Sequence, residues 1–396
     1  MAEASSHSDR VIIAGAGPAG LTVAALLAEA GAPAIVLEAE ADLPTNLRAS
    51  TFHPPTLDML DRFGATDKLI AQGLIAPTFQ YRDRAAGKLA EFDFGELADV
   101  SNRPYRLQCE QYKLNFALRD YIAARDGVEI RFNAEAAGVE QSADGVAVTL
   151  KTGETVHGRW LVGADGARSA VRQALGIPFE GFTWPEAFLV VSTPFPFEDH
   201  LEGLCWVNYV ADPEEWFFLL RAPEFWRVMF PTAQDEPESE IFDPAKVQRR
   251  LNRALPRAEP YEVAHTTLYK VHQRVATTYR AGRAFLAGDA AHINNPLGGM
   301  GMNGGIHDAF DLGQRLVDVM QGADPARLDG YEAARRPVAL EYVNEITIRN
   351  KRNLETRDPA EQAAFRQMLH ETSADPAKRR AFLLRASMLS SLGVKA

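Results

Sequence analysis

The N-terminal part of the chain alternates short apolar runs with a longer stretch rich in alanine and leucine. Val11–Ala14 is an uninterrupted apolar run, which is typical of a strand buried on both faces of a parallel sheet. The stretch Ala19–Ala30 predicts a helix, and Gly31 supplies its C-terminal stop. A second apolar run, Ala34–Leu37, follows closely. The pattern therefore predicts a strand, a helix and a parallel strand, which together form a βαβ unit.

Apolar runs that predict strands recur later in the chain. Val146–Leu150 follows a turn-like Ala-Asp-Gly sequence, whereas Trp160–Gly163 and Ala284–Ala287 predict buried strands that stop at glycine. Between residues 177 and 280, Phe, Trp and Tyr become frequent, and helical periodicity is confined to Pro244–Ala254. This middle region is therefore predicted to form a mostly antiparallel sheet.

Two further segments bear on how the chain is divided. Phe79–Leu97 resembles an excursion of two or three strands into the second unit, so the units are expected to be interleaved rather than sequential. Beyond Tyr331 the sequence is charged and helical in period, with acidic and basic residues interspersed as on a solvated helix face. Against a prior of about 150 residues per domain, the length of 396 residues allows two or three packed units.

Composition and charge narrow the class of protein. The chain is 46% hydrophobic and 24% charged, as soluble globular proteins are. Its net charge of −11 disfavours nucleic acid as a partner. Only two cysteines occur, Cys109 and Cys205, so we expect neither a disulfide framework nor a metal site. No run long enough for a membrane helix and no signal or transit peptide is visible, which predicts a cytoplasmic protein.

The first motif that carries chemistry follows the first predicted strand. Its residues are Gly15, Ala16, Gly17, Pro18, Ala19 and Gly20. In such a motif Gly15 permits a tight turn, Gly17 lets the backbone approach a pyrophosphate, and Gly20 allows close packing of helix and strand. Glu38, after the second strand, can accept hydrogen bonds from a ribose diol. An ordinary glycine-rich turn is the alternative, and the motif alone does not distinguish FAD from NAD.

Two more glycine-containing motifs follow predicted strands. One is Gly163-Ala164-Asp165-Gly166-Ala167-Arg168-Ser169, before the helical stretch Ala170–Leu175. The other is Gly288-Asp289-Ala290-Ala291-His292, which leads into a loop rich in glycine and then a helix predicted from Ile306. Six glycines fall between Gly288 and Gly305. Such a loop brings backbone amides close to a planar or anionic ligand.

The three motifs, in this order, resemble the single-component FAD-dependent aromatic hydroxylases of the p-hydroxybenzoate hydroxylase and phenol hydroxylase type. The resemblance spans roughly residues 9–337. It implies an α/β fold in which a Rossmann-like FAD-binding domain is interleaved with an α+β, mostly antiparallel substrate domain. We expect residues 9–78, 98–176 and 281–345 in the FAD-binding domain and 79–97 and 177–280 in the substrate-binding domain, with 346–396 as a C-terminal helical segment.

The resemblance also assigns cofactor contacts. It implies that Gly15, Gly17, Pro18, Ala19, Gly20 and Glu38 bind the adenosine diphosphate half of FAD. Asp289 matches an aspartate at the ribityl chain, and Asp165 and Gly166 match a pair that serves both FAD and NAD(P)H. The expected flavin contacts are Arg48, Gln111, Pro296, Gly301, Met302 and Asn303. From the residues alone, Arg48 would be interpreted as a solvated loop arginine.

The activity implied is hydroxylation of a phenolic or hydroxylated N-heteroaromatic compound, such as a hydroxypyridine. NAD(P)H and O2 would be consumed through a flavin C4a-hydroperoxide. The expected catalytic residues are Pro296 beside the reactive flavin edge, Arg227 at the mobile flavin, and His272 as a base or proton relay. Substrate contacts are expected from Arg221, Tyr209 and Trp206, although aromatic residues on a sheet are more often core. Met229 stands where the family has a substrate-binding tyrosine.

Other functions stay open from the sequence. The same glycine pattern occurs in flavoprotein reductases, epoxidases and amine oxidisers, and a flavin-binding protein without turnover is a further alternative. No GxSxG elbow and no HExxH pattern supports a hydrolase or a metalloenzyme. His292 is expected to make structural hydrogen bonds in its loop. A small aromatic substrate is the expected partner, and a homodimer is a family-based expectation.

Overall fold

The structure is a computed structural model that describes residues 9–45 and 49–395. Within these residues the helices are α1 (Pro18–Glu29), α2 (Pro54–Leu60), α3 (Ala65–Ile70), α4 (Gln111–Ala123), α5 (Ala170–Ala174), α6 (Glu238–Ile241), α7 (Pro244–Ala254), α8 (Met300–Met320), α9 (Gly330–Pro337), α10 (Asn344–Glu355), α11 (Pro359–Ala374) and α12 (Pro376–Ala386). A π-helical segment, Val338–Val343, joins α9 to α10.

The strands of the described residues are β1 (Val11–Ala14), β2 (Ala34–Leu37), β3 (Thr51–Phe52), β4 (Leu74–Ala76), β5 (Thr78–Asp83), β6 (Gly87–Asp93), β7 (Arg106–Gln108), β8 (Val128–Arg131), β9 (Ala136–Gln141), β10 (Val146–Leu150), β11 (Thr155–Gly158), β12 (Trp160–Gly163), β13 (Phe179–Thr193), β14 (Val207–Ala211), β15 (Phe217–Arg221), β16 (Trp226–Pro231), β17 (His265–Ala276), β18 (Arg280–Ala281), β19 (Ala284–Leu286) and β20 (His292–Ile293). The expected α/β class is confirmed.

The first sheet has the strand order β18-β19-β12-β1-β2-β8. Strand β1 pairs in parallel with both β12 and β2, which is why its residues are apolar without alternation. Helices α1 and α8 pack closely against each other, since a Cβ atom at Gly313 of α8 would lie 2.6 Å from Cδ1 of Leu26 of α1. The three glycine motifs thus follow β1, β12 and β19, whose carboxyl ends lie at one edge of the sheet.

The large sheet has the order β20-β17-β13-β16-β15-β14-β5-β6. Strands β5 and β6 come between β2 and β8 of the first sheet in sequence. They nevertheless belong to the large sheet, because β5 pairs in parallel with β14 and β6 pairs with β5. The two sheets are therefore built from alternating stretches of chain. The excursion expected at Phe79–Leu97 forms two strands followed by a short helical turn.

Side chains of the large sheet separate into two cores. On β15 and β16, Leu219 and Val228 enter one core, whereas Leu220 and Met229 enter the other. The second core also contains Leu297, from the loop before α8, and Leu383 of α12. The face bearing Met229 is therefore the face that meets the glycine-rich loop and the C-terminal helices. We call it the inner face of the large sheet.

One expectation about the helix after the third motif is wrong. The helix begins at Met300 rather than at Ile306, so Gly301, Gly304 and Gly305 lie in its first turns. The chain enters this helix through Gly299, which has a φ of 67°, a left-handed conformation that glycine adopts without strain. Glycines inside a helix weaken the sequence signal, which explains the late predicted start.

In the part of the chain that the structure describes, no helix is long and apolar enough to cross a membrane. Over the same ranges, no group of three or more His, Cys, Asp or Glu side chains is arranged to hold a metal ion.

Candidate active site

The turn between β1 and α1 is shaped by its glycines. Gly15 has a φ of 99°, and a Cβ atom there would lie 2.4 Å from the carbonyl oxygen of Ala164. A Cβ at Gly20 would lie 2.0 Å from the carbonyl oxygen of Gly15. At Gly17, by contrast, a Cβ would meet nothing within 4 Å. Gly17 is the N-cap of α1, so this open space lies where helix amides and the helix dipole favour a phosphate.

Glu38 lies directly over this turn. Its carboxylate accepts hydrogen bonds from the backbone amides of Ala16, at 2.7 Å, and Glu40, at 3.1 Å. Each carboxylate oxygen has two lone pairs, so these bonds leave acceptor capacity for a ribose hydroxyl. The open cradle at Gly17 and the adjacent acidic side chain fit the adenosine diphosphate half of a dinucleotide. Pro18 and Ala19 form the first turn of α1 beside it.

The second motif packs against the first. Asp165 is held by the amide of Val171, which donates to its Oδ2 at 3.1 Å, while the Oδ1 atom is buried with no hydrogen-bond partner among the described residues. Burial raises the pKa of Asp165, although several hydrogen bonds oppose this. Gly166 has a φ of 80°. The Arg172 guanidinium donates to the carbonyl oxygen of Ala290 at 2.8 Å, which ties this turn to the third motif.

The third motif approaches α1 from the other side. A Cβ atom at Gly288 would lie 3.1 Å from Cβ of Ala19, and one at Gly305 would lie 2.9 Å from Cα of Gly288. Between these close contacts, Asp289 is exposed at the tip of the turn. The three motifs thus surround one region at the carboxyl ends of β1, β12 and β19, where ligands bind in open α/β sheets.

The loop before α8 is held by a buried amide. Asn303 Nδ2 donates to the carbonyl oxygens of Thr51, at 2.8 Å, and Gly299, at 2.6 Å. Asn303 Oδ1 accepts from the amide of His53 at 2.9 Å, and the His53 ring contacts the carbonyl oxygen of Gly298 at 2.8 Å. The Asn303 side chain is therefore occupied in holding the loop. Any contact of this residue with a flavin is through its backbone.

The remaining residues of this loop are more accessible. Pro296 is exposed, and Gly301 and Met302 are partly exposed at the start of α8. Their position next to the three motifs is consistent with the flavin end of FAD. Burial and the nearby Arg106 hold the pKa of His53 well below its usual value, so its ring is neutral.

Arg227 links the large sheet to the segment that precedes β3. It projects from β16 and is only 7% exposed, and its Nη1 donates to Oγ of Ser50 at 3.0 Å. Burial lowers the pKa of Arg227, against the opposing influence of Glu110 and Tyr269 nearby. Gln111 begins α4 next to this group, and its amide donates to the carbonyl oxygen of Ala49 at 3.0 Å. Arg48 lies outside the described residues.

Arg221 does not share this site. Its Nη1 donates to the carbonyl oxygen of Ala222 at 2.6 Å, and its Nε lies 3.4 Å from Oε1 of Glu198. Glu198 also accepts a hydrogen bond from the Trp226 indole at 2.5 Å. Trp226 packs in the core that contains Leu219 and Val228, on the face of the large sheet opposite the inner face. The Arg221 side chain therefore lies on the opposite face of the large sheet from Arg227, and its expected contact with substrate stays a prediction.

The two expected aromatic contacts are packed into the protein. Tyr209 is on the inner face but is 2% exposed and stacks on Tyr81 at 5.1 Å between ring centroids. Trp206 precedes β14, contacts both cores and lies 6.1 Å from the Trp226 ring. Tyr209 in particular is core, as the alternative interpretation had it.

His272 also points away from the loop that carries Pro296. Its Nδ1 contacts Oγ1 of Thr183 at 2.9 Å, and burial together with Arg274 and other nearby cations lowers its pKa. The next residue, Gln273, faces the loop instead and accepts from the amide of Asn295 at 3.1 Å. Because successive side chains on a strand alternate in direction, His272 and Gln273 point to opposite faces. The expected role of His272 as a base or proton relay stays a prediction.

Several residues at the site carried no sequence signal. They are Ser50, Thr51, His53, Gln108, Glu110 and Tyr269. Gln108 is buried and accepts from Oγ1 of Thr51 at 2.8 Å. These residues lie on or next to the strands β3, β7 and β17, and they match no motif. Only pairing between distant segments brings them together.

Comparison with known proteins decides what this arrangement belongs to. The family model described as the FAD binding domain matches residues 9–345. The chain belongs to this family. The resemblance to FAD-dependent aromatic hydroxylases is thereby confirmed, and the open cradle at Gly17 provides an independent structural fit for the cofactor.

Similar proteins extend this result over the whole chain. The chain is 35% identical over 387 residues to a para-nitrophenol 4-monooxygenase of Pseudomonas sp. (strain WBC-3), covering 95% of this chain and 94% of the relative. It is 36% identical over 372 residues to the 6-hydroxy-3-succinoylpyridine 3-monooxygenase HspB of Pseudomonas putida (strain DSM 28022 / S16), covering 90% and 91%. A crystal structure of p-nitrophenol 4-monooxygenase PnpA from Pseudomonas putida DLL-E4 superposes with a TM-score of 0.91 at 33% identity, covering 98% and 99%.

The chain is accordingly an FAD-dependent aromatic monooxygenase that uses NAD(P)H and O2. The relatives named above act on a nitrophenol and on a hydroxylated pyridine derivative.

Proposed function

We propose that this monooxygenase hydroxylates a monocyclic phenol or hydroxypyridine bound against the inner face of the large sheet. FAD would lie along the three motifs, with Gly17 at its pyrophosphate, Asp289 at its ribityl chain and Pro296 beside its reactive edge. The observation that carries this proposal is the position of Arg227, a buried cation at the junction between the large sheet and Ser50. The two relatives described above act, by their names, on a nitrophenol and on a hydroxypyridine derivative, which supports the same substrate class.

The charge of Arg227 argues for an electron-rich, acidic ring. A guanidinium in a desolvated environment favours a phenolate, nitro or carboxylate oxygen over a neutral hydrocarbon ring. Deprotonation of a phenol makes its ring more nucleophilic, so a cation that stabilises the phenolate assists attack on activated oxygen. Glu110 lies near enough to Arg227 to influence its pKa, and this carboxylate limits the local positive charge.

The apolar part of the inner face would exclude water. Met229 follows Arg227 two residues later on β16, Leu220 pairs with Arg227 from β15, and Leu297 lies in the same core, from the loop before α8. Because Met229 carries no hydroxyl group, orientation of the substrate would depend on Arg227 rather than on a tyrosine at this position. Bound FAD would supply the reduced flavin that activates O2, and Pro296 would cover this part of the site.

We also propose a cytoplasmic location and a homodimeric state. Cys109 and Cys205 are both free thiols, which agrees with a reducing compartment. The dimer is a family-based expectation, and light scattering coupled to size exclusion would measure it.

The substrate proposal is tested by turnover of the FAD-loaded protein. NADH and NADPH oxidation are followed with 4-nitrophenol, hydroxypyridines, hydroxybenzoates and a non-phenolic control such as toluene, while product and hydrogen peroxide are quantified. We expect a phenol or hydroxypyridine to stimulate oxidation and to give near-stoichiometric hydroxylated product. Oxidation that no hydroxylated ring stimulates, or that yields peroxide alone across the panel, would contradict the proposal.

A further inference from the structure

A buried ionic cluster lies beneath the loop Gly288–His292. It consists of His292 at the end of that loop, Asp308 on α8 and Arg335 on α9. All three side chains are almost fully buried, and Asp308 is only 1% exposed. Buried charges are costly unless they are paired and hydrogen-bonded, so a cluster of this kind needs a reason.

The Asp308 carboxylate contacts both ends of the loop. Its Oδ2 accepts from Nε2 of His292 at 2.7 Å and from the backbone amide of Gly288 at 3.3 Å. Its Oδ1 accepts from Nε of Arg335 at 2.7 Å, which anchors the carboxylate to α9. The segment between the two ends of the loop carries Asp289, which is exposed toward the cofactor region described above.

Asp308 is ionised throughout the working pH range. Burial opposes its ionisation, but His292 and Arg335 outweigh burial and hold the pKa of Asp308 at about 2. An ionised carboxylate offers acceptors to all three donors, whereas an amide offers only one oxygen. An asparagine here would also leave the Arg335 charge buried without its counter-ion.

The loop that Asp308 fixes has little room to move. Gly288 lies against Ala19, where a Cβ would come within 3.1 Å, and Ala19 belongs to α1 of the first motif. At the other end of the loop, a Cβ at Gly304 would lie 3.3 Å from Cε1 of His292. The position of Gly288 therefore sets the distance between the third motif and the helix at which the pyrophosphate would bind.

We infer that Asp308 is a positioning residue for FAD. Its carboxylate fixes both ends of the loop Gly288–His292, and thereby places Asp289 relative to the Gly17 turn. Asp308 does not touch the cofactor and acts only through the loop. This inference rests on the proposed placement of FAD along the three motifs.

The test separates the loop side of the cluster from the helix side. His292→Phe removes the side-chain bond at one end of the loop but keeps the Gly288 amide bond and the pair of Asp308 with Arg335. His292→Gln restores a side-chain nitrogen donor. Asp308→Asn weakens both sides. Asp311→Asn is the matched control, since Asp311 lies one turn later on α8 and pairs with Arg315 near the surface. Each apo protein is titrated with FAD by flavin fluorescence, and its melting temperature and bound-flavin absorption spectrum are recorded.

We expect His292→Phe and Asp308→Asn to weaken FAD binding by about tenfold or more, which is about 1.4 kcal/mol, because the loop no longer holds Asp289 in place for the cofactor. The His292→Phe flavin spectrum should shift, and its apo melting temperature should fall as well, since the bond between His292 and Asp308 is buried in the apo fold. His292→Gln should recover most of the affinity, and Asp311→Asn should bind normally. If Asp308→Asn does not fold, the two His292 variants decide the question.

The outcomes distinguish this inference from the proposed function. A folded His292→Phe protein with wild-type FAD affinity and spectrum would overturn the positioning role alone. Failure of the wild-type protein to bind FAD would overturn the proposed function and the positioning role together.

Discussion

Replacing Gly17 with alanine separates the cofactor site from the fold. Gly17 has φ −77° and ψ −179°, which any residue adopts, and its Cβ would meet no atom within 4 Å. The free energy of unfolding of the apo protein should therefore change by no more than about 1 kcal/mol. Alanine is a poorer N-cap than glycine, but it also lowers the conformational entropy of the unfolded chain, and the two effects oppose each other. With FAD bound, the same methyl group would occupy space next to the pyrophosphate. We expect FAD affinity to fall by about tenfold or more, which is about 1.4 kcal/mol.

Gly20→Ala is the contrasting variant. Its Cβ would lie 2.0 Å from the carbonyl oxygen of Gly15. This oxygen belongs to the backbone, so it cannot move aside as the end of a flexible side chain can. The helix or the strand must shift, so we expect destabilisation of about 3 kcal/mol, at the upper end of overpacking costs. Gly138→Ala is a control on β9. Its Cβ would lie no closer than 3.7 Å to Cβ of Thr149, which is an ordinary van der Waals distance.

Thermal melts of the apo proteins and fluorescence titrations with FAD measure both effects. A Gly17→Ala protein that melts like the wild type and also binds FAD with wild-type affinity would contradict the placement of the pyrophosphate at Gly17. A Gly20→Ala protein with an unchanged melting temperature would contradict the close packing of α1 at Gly20.

Three further predictions follow from other parts of the site. Asp289→Ala should weaken FAD retention without unfolding the chain, because the residue is exposed; normal flavin stoichiometry would count against its role. Arg227→Gln should lower kcat/KM or the product-to-peroxide ratio about tenfold, whereas Arg221→Gln, on the opposite face, should stay within about twofold; equal effects would remove Arg227 from the site. Burial lowers the pKa of His307 to about 3, so the unfolded state binds the proton first and stability falls as the pH drops below about 6.5. Between pH 7.5 and 5.5 this costs about 1.4 kcal/mol, and urea unfolding of His307→Gln should show a shallower pH dependence than the wild type.

The positions of the three motifs could be predicted from the sequence because each follows a short apolar strand. Parallel strands place their carboxyl ends at one edge, so Gly17, Asp165 and Asp289 converge without further information. The residues of α1 and β1 are specified locally, by runs of apolar side chains and by glycines whose contacts lie in adjacent elements. Local sequence alone therefore places these residues, without any pairing between distant segments.

Side-chain direction on the large sheet could not be predicted in the same way. Arg221 and Arg227 are an even number of residues apart, yet the turn between β15 and β16 places them on opposite faces. His272 and Gln273 differ only by the alternation of a strand, and the sequence does not show which of them faces the loop at Asn295. Register and turn geometry, which are properties of pairing, determine these outcomes.

The buried polar bonds around the glycine-rich loop were equally inaccessible. The bond between His53 and Asn303 joins residues 250 positions apart, and neither residue type signals such a partner. Asp308 lies on a helix face that sequence periodicity describes only as buried. Its pairing with Arg335 appears once α8 and α9 are packed together.

The central claim is that this chain inserts one atom of O2 into an aromatic ring. The most direct measurement is mass spectrometry of the product formed under oxygen-18 gas by the FAD-loaded protein, with NAD(P)H and the phenol or hydroxypyridine that most stimulates its oxidation. The account predicts a hydroxylated product that carries one oxygen-18 atom. A product whose new oxygen comes from water, or peroxide formation with no hydroxylated product from any such ring, would contradict it.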